Sequence, residues 1–583
     1  MALRICLVTP FAWSQPHDVN EHVTGVATTL RALGHSVTVL APSNRARDLV
    51  AGRRALHDGK AVDFIALGPA VPVSRRSKLG VPVGVRTNLQ LALEQGAYDL
   101  VHGFEPGLPS LSYLALREAR TLTVATFISP DRLAYPPAKN QRMRLLTRLD
   151  ALVATSPLTA AAAQERFPGD YHVVPLGVDT DALKPGRKRK LVVAEWLPGD
   201  RLQGRSIARA LRELAEWELV YLRTKPLSGR PPMPRRLAGR VRVRTLRDGA
   251  ARAPLLAEAA IFVPAPGGLP RALLEAKAAG AAIAAPPGVA AQPELAGAAV
   301  ARLTEDAALR QRLGKEARRD AERESFTVVA RELDEIYSGL ATRRRPSLPA
   351  TADGRVADDW IVVDLHMHTS WSHDCTVPPV QLLDHAEEIG LGAIAVTDHN
   401  VFGGALEAVE LARDRRLTVI PGEEIKTDNQ GEVIGLFLNE EIPRGMSFAA
   451  TIAAVRAQGG IVYLPHPFDR LHAIPDPATL HRHVGDIDVF EVYNARLLFE
   501  AYNDEALRFA RKYHLTTGAG SDAHVLQGVG TGALRMRPFD GPEQFLESLQ
   551  TAEVLRRPKS LAYLQSLKWV AQVRDRLGAG EPV

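Results

Sequence analysis

Residues 362–368 read VVDLHMH, a short apolar run that ends in two histidines separated by one residue. Side chains alternate across a β-strand, so His366 and His368 point to the same side and can bind one cation. Five further apolar runs also carry His, Asp or Glu at or near their ends: AVTDH (395–399), VIPGEE (419–424), VYLPH (462–466), VFEVYN (489–494) and GAGSDAH (518–524). Parallel barrels build one site from the carboxyl ends of many strands, and the pattern therefore predicts a metal-dependent hydrolase.

These runs and their loops combine imidazole with carboxylate, a mixture that suits Zn, Mn or Fe without choosing among them. Beyond the two histidines of the first strand, the candidate ligands are Asp374, His399, Glu424, His466, Asp522 and His524. Glu424 could bridge two cations, and Asp398 is expected to orient an imidazole. A lone histidine near a strand end is usually an ordinary hydrogen-bonding residue. Here that explanation would have to apply to the His, Asp or Glu at the end of every run, which would then be a coincidence.

Five motifs occur in the same order as in the PHP (polymerase and histidinol phosphatase) superfamily, which this part of the chain resembles: DLHMHT (364–369), TDHN (397–400), PGEE (421–424), PHP (465–467) and SDAH (521–524). The resemblance implies a distorted (β/α)7 barrel with two or three divalent metal ions (Mn, Zn or Fe) and hydrolysis of a phosphate ester. It assigns ligand roles to His366, His368, Asp374, His399, Glu424, His466, Asp522 and His524. Many relatives carry a histidine where this chain has Glu432, which makes Glu432 either a ninth ligand or a solvated loop carboxylate.

The predicted chemistry is attack on phosphorus by a water that the metals activate near neutral pH. Arg470 and Arg496 could each hold an anionic group of the substrate by bidentate contacts, with an ordinary surface arginine as the alternative for both. His373 is either a proton donor or merely exposed. The predicted substrate is a small-molecule phosphate ester or a nucleotide. The motifs do not decide among a nucleotide, a sugar phosphate, histidinol phosphate and an oligonucleotide end.

Strand-like and helix-like segments alternate through residues 1–340, which predicts parallel α/β layers. One series of predicted strands runs from residues 4–8 to residues 172–175, and a second runs from residues 191–194 to residues 281–285. Two doubly wound, Rossmann-like units in tandem are the simplest account. The predicted domains are residues 1–177, 178–340 and 358–583, with a linker at 341–357 that contains Pro and Arg. A last helix is predicted at about residues 560–577.

Four motifs of this first part resemble family 4 glycosyltransferases of GT-B fold, and most of all their phosphatidylinositol mannosyltransferase-like members: LGHSVTVLAP (33–42), DLVHGFEP (99–106), VPLGVDT (174–180) and LEAKAAG (274–280). The resemblance implies a nucleotide-sugar ligand, with Glu275 at the sugar or nucleotide.

The catalytic positions of that family are changed in this chain. His17 and Asp18 replace a glycine pair, Ile128 replaces a histidine, Gly267 replaces a carboxylate and Gln203 replaces a lysine. Without the glycines the backbone cannot approach phosphates closely, and without the lysine a leaving diphosphate lacks its countercharge. The changes predict a module that keeps its fold but has lost catalysis. The alternatives are an active glycosyltransferase with an accessory phosphatase domain, and a scaffold or binding protein that metals merely stabilise.

Composition is that of an ordinary globular protein, but its charge is divided. Residues 358–583 hold 20 Lys and Arg against 32 Asp and Glu, whereas residues 1–357 hold 52 against 34. The acidic part suits cations and the basic part suits anionic partners, although no basic run with interleaved aromatics predicts a nucleic-acid surface. No stretch has the length and apolarity of a transmembrane segment, and two cysteines in different predicted domains argue against disulfides. A cytoplasmic location is therefore expected.

Overall fold

Parallel β-sheets flanked by helices form both units of the chain, residues 1–341 and 342–583, in its computed structural model. The structure describes residues 2–72, 80–81, 85–197, 200–224, 231–266, 269–284, 293–344 and 360–557, with the single residues 560, 566, 569 and 570. Gly267, most of the predicted linker and most of the predicted last helix lie outside this set. Within the described part of the chain, no helix is both long and apolar enough to cross a membrane.

The first part of the amino-terminal unit alternates strands with helices. Its strands are β1 (Arg4–Val8), β2 (Ser36–Ala41), β3 (Phe64–Ala66), β4 (Val71–Pro72), β5 (Gly80–Val81), β6 (Leu100–Phe104), β7 (Leu122–Phe127), β8 (Ala151–Ala154) and β9 (Tyr171–Val173). Its helices are α1 (Asp18–Ala32), α2 (Ala46–Asp58), α3 (Arg86–Gly96), α4 (Leu111–Glu118), α5 (Lys139–Leu146) and α6 (Pro157–Gln164). Seven of the strands form a parallel sheet in the order β3-β2-β1-β6-β7-β8-β9, while β4 pairs with β5.

The second part of this unit repeats the plan. Its strands are β10 (Arg189–Glu195), β11 (Glu218–Arg223), β12 (Val241–Thr245), β13 (Ala259–Val263) and β14 (Ala282–Ile283). They form a parallel sheet in the order β12-β11-β10-β13-β14. Its helices are α7 (Arg201–Ala210), α8 (Gly249–Glu258), α9 (Pro270–Ala278), α10 (Pro293–Glu305), α11 (Ala307–Arg323) and α12 (Phe326–Ala341). Two doubly wound layers in tandem confirm the predicted GT-B class, and the boundary predicted at residue 177 falls between the two sheets.

Burial explains why these strands are apolar along their whole length. Helices cover both faces of a parallel sheet, so that residues on both sides of each strand are excluded from water. In β1, Ile5, Cys6, Leu7 and Val8 are all 0% exposed. This strand pairs with β2 on one side and β6 on the other. Such a reversal of strand order leaves a crevice at the carboxyl ends of the strands, where ligands bind in folds of this class.

The second unit contains nine further strands. They are β15 (Ile361–Met367), β16 (Ala393–Val396), β17 (Thr418–Lys426), β18 (Glu432–Leu436), β19 (Ile461–Leu464), β20 (Val489–Asn494), β21 (Thr516–Gly520), β22 (Gly532–Met536) and β23 (Glu553–Arg556). Its helices are α13 (Pro379–Glu388), α14 (Gly403–Leu411), α15 (Phe448–Ala457), α16 (Pro477–Arg482), α17 (Glu500–Tyr513) and α18 (Gly541–Leu549).

Strands β15 to β21 close into a barrel. They are neighbours in sequence order, and a parallel bridge between Met367 and Ala523 joins the end of β21 back to β15. Two hydrogen bonds support this closure: the Asp522 N–H donates to the His366 carbonyl at 2.8 Å, and the His368 N–H donates to the Ala523 carbonyl at 3.1 Å. Only β18 runs antiparallel to its neighbours in the described barrel. The distorted (β/α)7 barrel that the resemblance implied is thereby confirmed.

Candidate metal centre

Glu424, at the carboxyl end of β17, lies at the centre of a group of imidazoles. One carboxylate oxygen of Glu424 lies 3.2 Å from His366 Nε2 and 3.1 Å from His399 Nδ1. The other oxygen lies 3.1 Å from His466 Nε2. Imidazoles from the ends of three other strands therefore converge on one buried carboxylate, which is only 1% exposed.

A second carboxylate, Asp522, extends the cluster after β21. His368 Nε2 lies 3.4 Å from Asp522 Oδ1 and 3.4 Å from Glu424 Oε2. Behind it, His524 Nε2 lies 2.9 Å from Asp374 Oδ2. The loop that carries Asp374 thus returns to the strand ends.

Four overlapping groups of three ligand atoms lie within 4.8 Å of one another: His366, Glu424 and His466; His366, His368 and Asp522; His368, His399 and His524; and His399, Glu424 and Glu432. Seven of the eight ligands predicted from the motifs belong to these groups, and Asp374 adjoins them through His524. Glu432, the open case, faces Glu424 and His399 and is mostly buried rather than a solvated loop carboxylate.

The donor set fits divalent metal ions. His368 Nε2 is buried and has no hydrogen-bonding partner of good geometry among the described residues, although two carboxylates lie beside it. A buried polar atom without a partner is costly, and a cation in the cluster would satisfy it. Imidazole and carboxylate ligands in this proportion are those of Zn, Mn and Fe sites.

Two ligand residues have backbone conformations that non-glycine residues rarely adopt. His466 has a φ of +26° and Asp522 has a φ of +51°. Such conformations cost free energy and persist where the surrounding structure enforces them, commonly at functional sites. Gly520, just before Asp522, lies so close to β15 that an added Cβ would be 2.3 Å from His366 Cβ.

Glu491, on β20, holds the imidazole of His366 in place. Its Oε1 lies 3.2 Å from His366 Nδ1 and accepts from the Tyr463 hydroxyl at 2.9 Å. Its Oε2 accepts from the His466 backbone N–H at 2.6 Å and from the Asn494 amide at 3.1 Å. A carboxylate on Nδ1 favours the tautomer that carries its proton there, which leaves Nε2 free to bind a metal.

Asp398 acts on the ligands through a neighbour rather than by the direct contact with an imidazole that was expected. It accepts from Thr369 at 2.6 Å and from the Ser372 hydroxyl at 2.7 Å. Ser372 in turn lies 3.3 Å from His368 Nδ1 and accepts from the His399 N–H at 3.0 Å. The Asp398 carboxylate thereby holds the loop after β15, which lies between the predicted ligands His368 and Asp374.

The charges of the cluster are strongly coupled. Burial opposes the charged imidazole of His366, but the carboxylates around it, with Glu424 foremost, raise its pKa well above the usual range. Burial also opposes the Glu424 carboxylate, yet His366 and His399 hold its pKa well below the usual range. For His466, Glu424 outweighs burial and raises the pKa to about 9. The Glu424 carboxylate therefore stays ionised and attracts positive charge, either as protons or as metal ions.

A cavity of about 1030 Å³ opens above the cluster. Arg496 lines it, with Nη1 3.1 Å from Asp522 Oδ1 and 3.2 Å from His524 Nε2. His373 also lines the cavity and is exposed. Arg470, the other predicted phosphate ligand, is half-buried and is not among the described residues that line the cavity.

In the amino-terminal unit, Glu275 is bound by guanidinium groups instead of facing a cleft. Arg252 is 0% exposed and donates to both Glu275 oxygens, at 2.6 and 2.8 Å. It also donates to Glu21 on α1 at 3.0 Å. Arg271 donates to Glu21 at 2.8 Å and to the Gly177 carbonyl at 3.1 Å. Two carboxylates and two guanidinium groups thus join the layers of the two sheets in this unit.

The other changed positions of this unit also make internal contacts. The His17 ring accepts from the Val19 N–H at 3.2 Å and lies 2.9 Å from Asp18. Ile128 is buried. The Gln203 amide is buried and donates to the Pro264 carbonyl at 2.9 Å.

Several functional contacts were not predicted from the sequence. Glu491 belongs to a quoted strand run, but a role as the partner of His366 was not assigned to it. Its signal is a carboxylate inside an apolar strand, because a buried charge needs partners. Glu21 and Arg252 carry no comparable signal, since they meet Glu275 only after folding.

Comparison with known families gives an account of both units. Residues 19–182 match the model of Glycosyltransferase Family 4, residues 364–516 match the PHP domain and residues 500–554 match the PHP-associated family. An uncharacterized protein of Methanocaldococcus jannaschii is 36% identical over 212 residues, which are 34% of this chain and 84% of that protein.

A phosphatidyl-myo-inositol mannosyltransferase of Propionibacterium freudenreichii is 31% identical over 166 residues, which are 28% of this chain and 42% of that enzyme. The chain therefore spans less than half of the mannosyltransferase it matches. Among solved structures, a glycosyltransferase from Rickettsia africae is similar with a TM-score of 0.40 and 14% identity, over 57% of this chain and 97% of that one. PsfC from Pseudomonas syringae is similar with a TM-score of 0.30 and 21% identity, over 38% and 99%.

Proposed function

We propose that the chain is a metal-dependent phosphoesterase with a non-catalytic transferase module. The premise is that it belongs to the PHP domain family and carries a glycosyltransferase family 4 domain ahead of it. The observation that carries the proposal is the convergence of predicted ligands from six strand ends around Glu424 and Asp522. A scaffold needs far fewer buried histidines than this cluster contains.

The ligand residues would be His366, His368, Asp374, His399, Glu424, Glu432, His466, Asp522 and His524. Divalent ions held by such a set supply Lewis acidity and a nucleophile from water near neutral pH. Glu424 faces three of the imidazoles and would hold metal together with them. Two or three ions of Mn, Zn or Fe are proposed, since four overlapping groups share their members.

Arg496 is the proposed phosphate-binding residue. Its guanidinium lies at the wall of the cavity beside Asp522 and His524, where it can donate to phosphoryl oxygens. Charge-assisted bonds of this kind orient an anion and offset its charge. His373, exposed at the same wall, is the proposed proton donor to the leaving alcohol. The substrate is proposed to be a small-molecule phosphate ester or a nucleotide.

The proposal for the amino-terminal unit is that it has lost sugar transfer. Glu275, the residue that should contact the donor, is neutralised by Arg252 and closed off from solvent. Releasing it would break a buried ion pair with Arg252, at a cost of about 3–5 kcal/mol. A cytoplasmic location is also proposed, supported by two buried cysteine thiols, Cys6 and Cys375.

The test is a panel of phosphate esters, assayed on the full chain after its metal content has been measured by elemental analysis. We expect bound divalent metal and hydrolysis that a chelator abolishes. His366→Ala should remove both, whereas the control His57→Ala, at a histidine whose side chain is 89% exposed, should change neither. A metal-loaded protein that hydrolyses no ester would contradict the proposal.

The second arm measures transfer from nucleotide-sugar donors. We expect no transfer above background, because the donor-side carboxylate is occupied. Donor-dependent turnover that Glu275→Ala abolishes would show that the module is an active glycosyltransferase.

A further inference from the structure

The cavity above the ligand cluster is much larger than a phosphate group needs. Its volume of about 1030 Å³ is at the upper end of the range for pockets that enclose a whole organic molecule. The ligand cluster forms only one side of it. The remaining wall must therefore contact the organic part of any ester bound there.

Five apolar side chains contribute to that wall, beside polar and charged ones. Trp371, Val401, Leu471, Leu497 and Leu498 line the cavity, and they lie in loops that follow β15, β16, β19 and β20. Three of them expose much of their surface: Leu471 60%, Leu498 59% and Trp371 49%. Large apolar side chains that converge at a concave site and remain exposed mark a ligand-binding surface.

Trp371 is held in a fixed position rather than lying free on the surface. Its indole N–H donates to Glu407 at 2.6 Å. Its ring packs so closely on α14 that a Cβ at Gly403 would lie 2.4 Å from it. A rigid apolar surface of this kind binds a ligand with little loss of conformational entropy.

The charges of the cavity are placed for one anionic group. Three cationic side chains, Arg496, Lys426 and Arg444, line the cavity, and Arg496 Nη1 lies 3.1 Å from Asp522 Oδ1. The cations and the ligand cluster suit a phosphate, and the leucines and tryptophan suit a group that avoids water.

We propose that the substrate is a phosphate ester of an apolar alcohol, with its organic group against Trp371, Leu471 and Leu498 and its phosphate at the ligand cluster. This inference rests on the proposed phosphoesterase function. In the reaction, water adds its oxygen to phosphorus, the P–O bond to the alcohol breaks, and the alcohol oxygen takes up the proton that water loses.

The test is a series of straight-chain alkyl phosphates from ethyl to octyl, assayed with the metal-loaded full chain below any micelle concentration. Burial of one methylene contributes about 0.8 kcal/mol, which corresponds to about fourfold at full burial and about twofold at half burial. We expect kcat/KM to rise about two- to fourfold with each added methylene until the wall is covered. Butyl phosphate should be preferred over glycerol phosphate, which is similar in size but polar.

Leu498→Ser and Leu471→Ser should each flatten this dependence, lowering kcat/KM for octyl phosphate more than kcat/KM for ethyl phosphate. The control Leu406→Ser, on α14, replaces a leucine that is 54% exposed and does not line the cavity, so the chain-length dependence should persist. Thermal melting of each variant separates loss of binding from loss of folding.

Hydrolysis that is independent of chain length would overturn the inference and leave the proposed function intact. A chain-length dependence that survives both leucine replacements would overturn the assigned wall. If Leu498→Ser instead abolishes self-association without changing the dependence, the apolar surface is a contact between copies and the inference fails. If the metal-loaded protein hydrolyses no ester, the proposed function fails, and the inference fails with it.

Discussion

Replacement of Glu491 by glutamine is a sharp probe of the proposed metal centre, because this carboxylate is not among the proposed metal ligands. Its two oxygens receive four donors: His366 Nδ1 at 3.2 Å, the Tyr463 hydroxyl at 2.9 Å, the His466 N–H at 2.6 Å and the Asn494 amide at 3.1 Å. Glutamine keeps one oxygen and replaces the other with an NH2 group. Whichever way the amide is turned, two of these donors then face another donor.

The size of the effect follows from that geometry. Each buried donor left without an acceptor costs about 1–3 kcal/mol, so the metal-free protein should lose about 2–6 kcal/mol of unfolding free energy. The imidazole of His366 also loses the partner that fixes its tautomer and orientation. Partners of this kind are worth about 10- to 100-fold in metal affinity.

The assay is competition for Mn or Zn against a chelator of known affinity, with metal content and thermal melting measured on the same samples. We expect weaker metal binding by about 10- to 100-fold in Glu491→Gln. The control Glu543→Gln, at an exposed carboxylate on α18, should bind metal like the wild type. Wild-type metal affinity in Glu491→Gln would refute the reasoning that Glu491 positions His366.

Three further outcomes are expected. Gly520→Ala should reduce metal content, because its Cβ would lie 2.3 Å from His366 Cβ. The control Gly485→Ala, with open space around the position, should not reduce it. Equal metal content in the two variants would contradict the close approach. Metal affinity, measured by chelator competition, should rise with pH up to about 9. Below that pH the His466 imidazole, whose pKa is raised to about 9, holds a proton that the metal must displace. A pH-independent affinity would exclude His466 as a ligand. Glu275→Gln should lower the unfolding free energy in denaturant titrations by about 3–5 kcal/mol, since it breaks a buried pair with Arg252; an unchanged midpoint and slope would show that the pair contributes nothing.

The strand ends could be predicted because their signal is local. An apolar run followed by His or Asp specifies both the strand and the position of the side chain at its rim, as in β15 with His366 and His368. The ordered motifs then supplied the barrel and its ligand set. Asp374 lies in a loop that returns to the same rim, with its Oδ2 2.9 Å from His524 Nε2, and its role as a ligand stays a prediction.

The partners of these residues could not be predicted in the same way. Glu491 meets Tyr463 and His466 because neighbouring strands bring them together, and no sequence spacing encodes that contact. Likewise, Arg252 and Glu275 lie on consecutive helices but meet Glu21 from far away in the chain. Their pairing depends on how the two sheets of the unit pack, which the sequence pattern does not specify.

The central claim is that the ligand cluster of the second unit holds divalent metal ions. Anomalous diffraction from crystals grown with Mn or Zn, recorded on both sides of the absorption edge, tests it most directly. The account predicts anomalous peaks within the cluster, among the side chains of Glu424, His366, His399 and His466. Peaks elsewhere in the protein but none at this cluster would contradict the claim, and so would a protein that binds no metal.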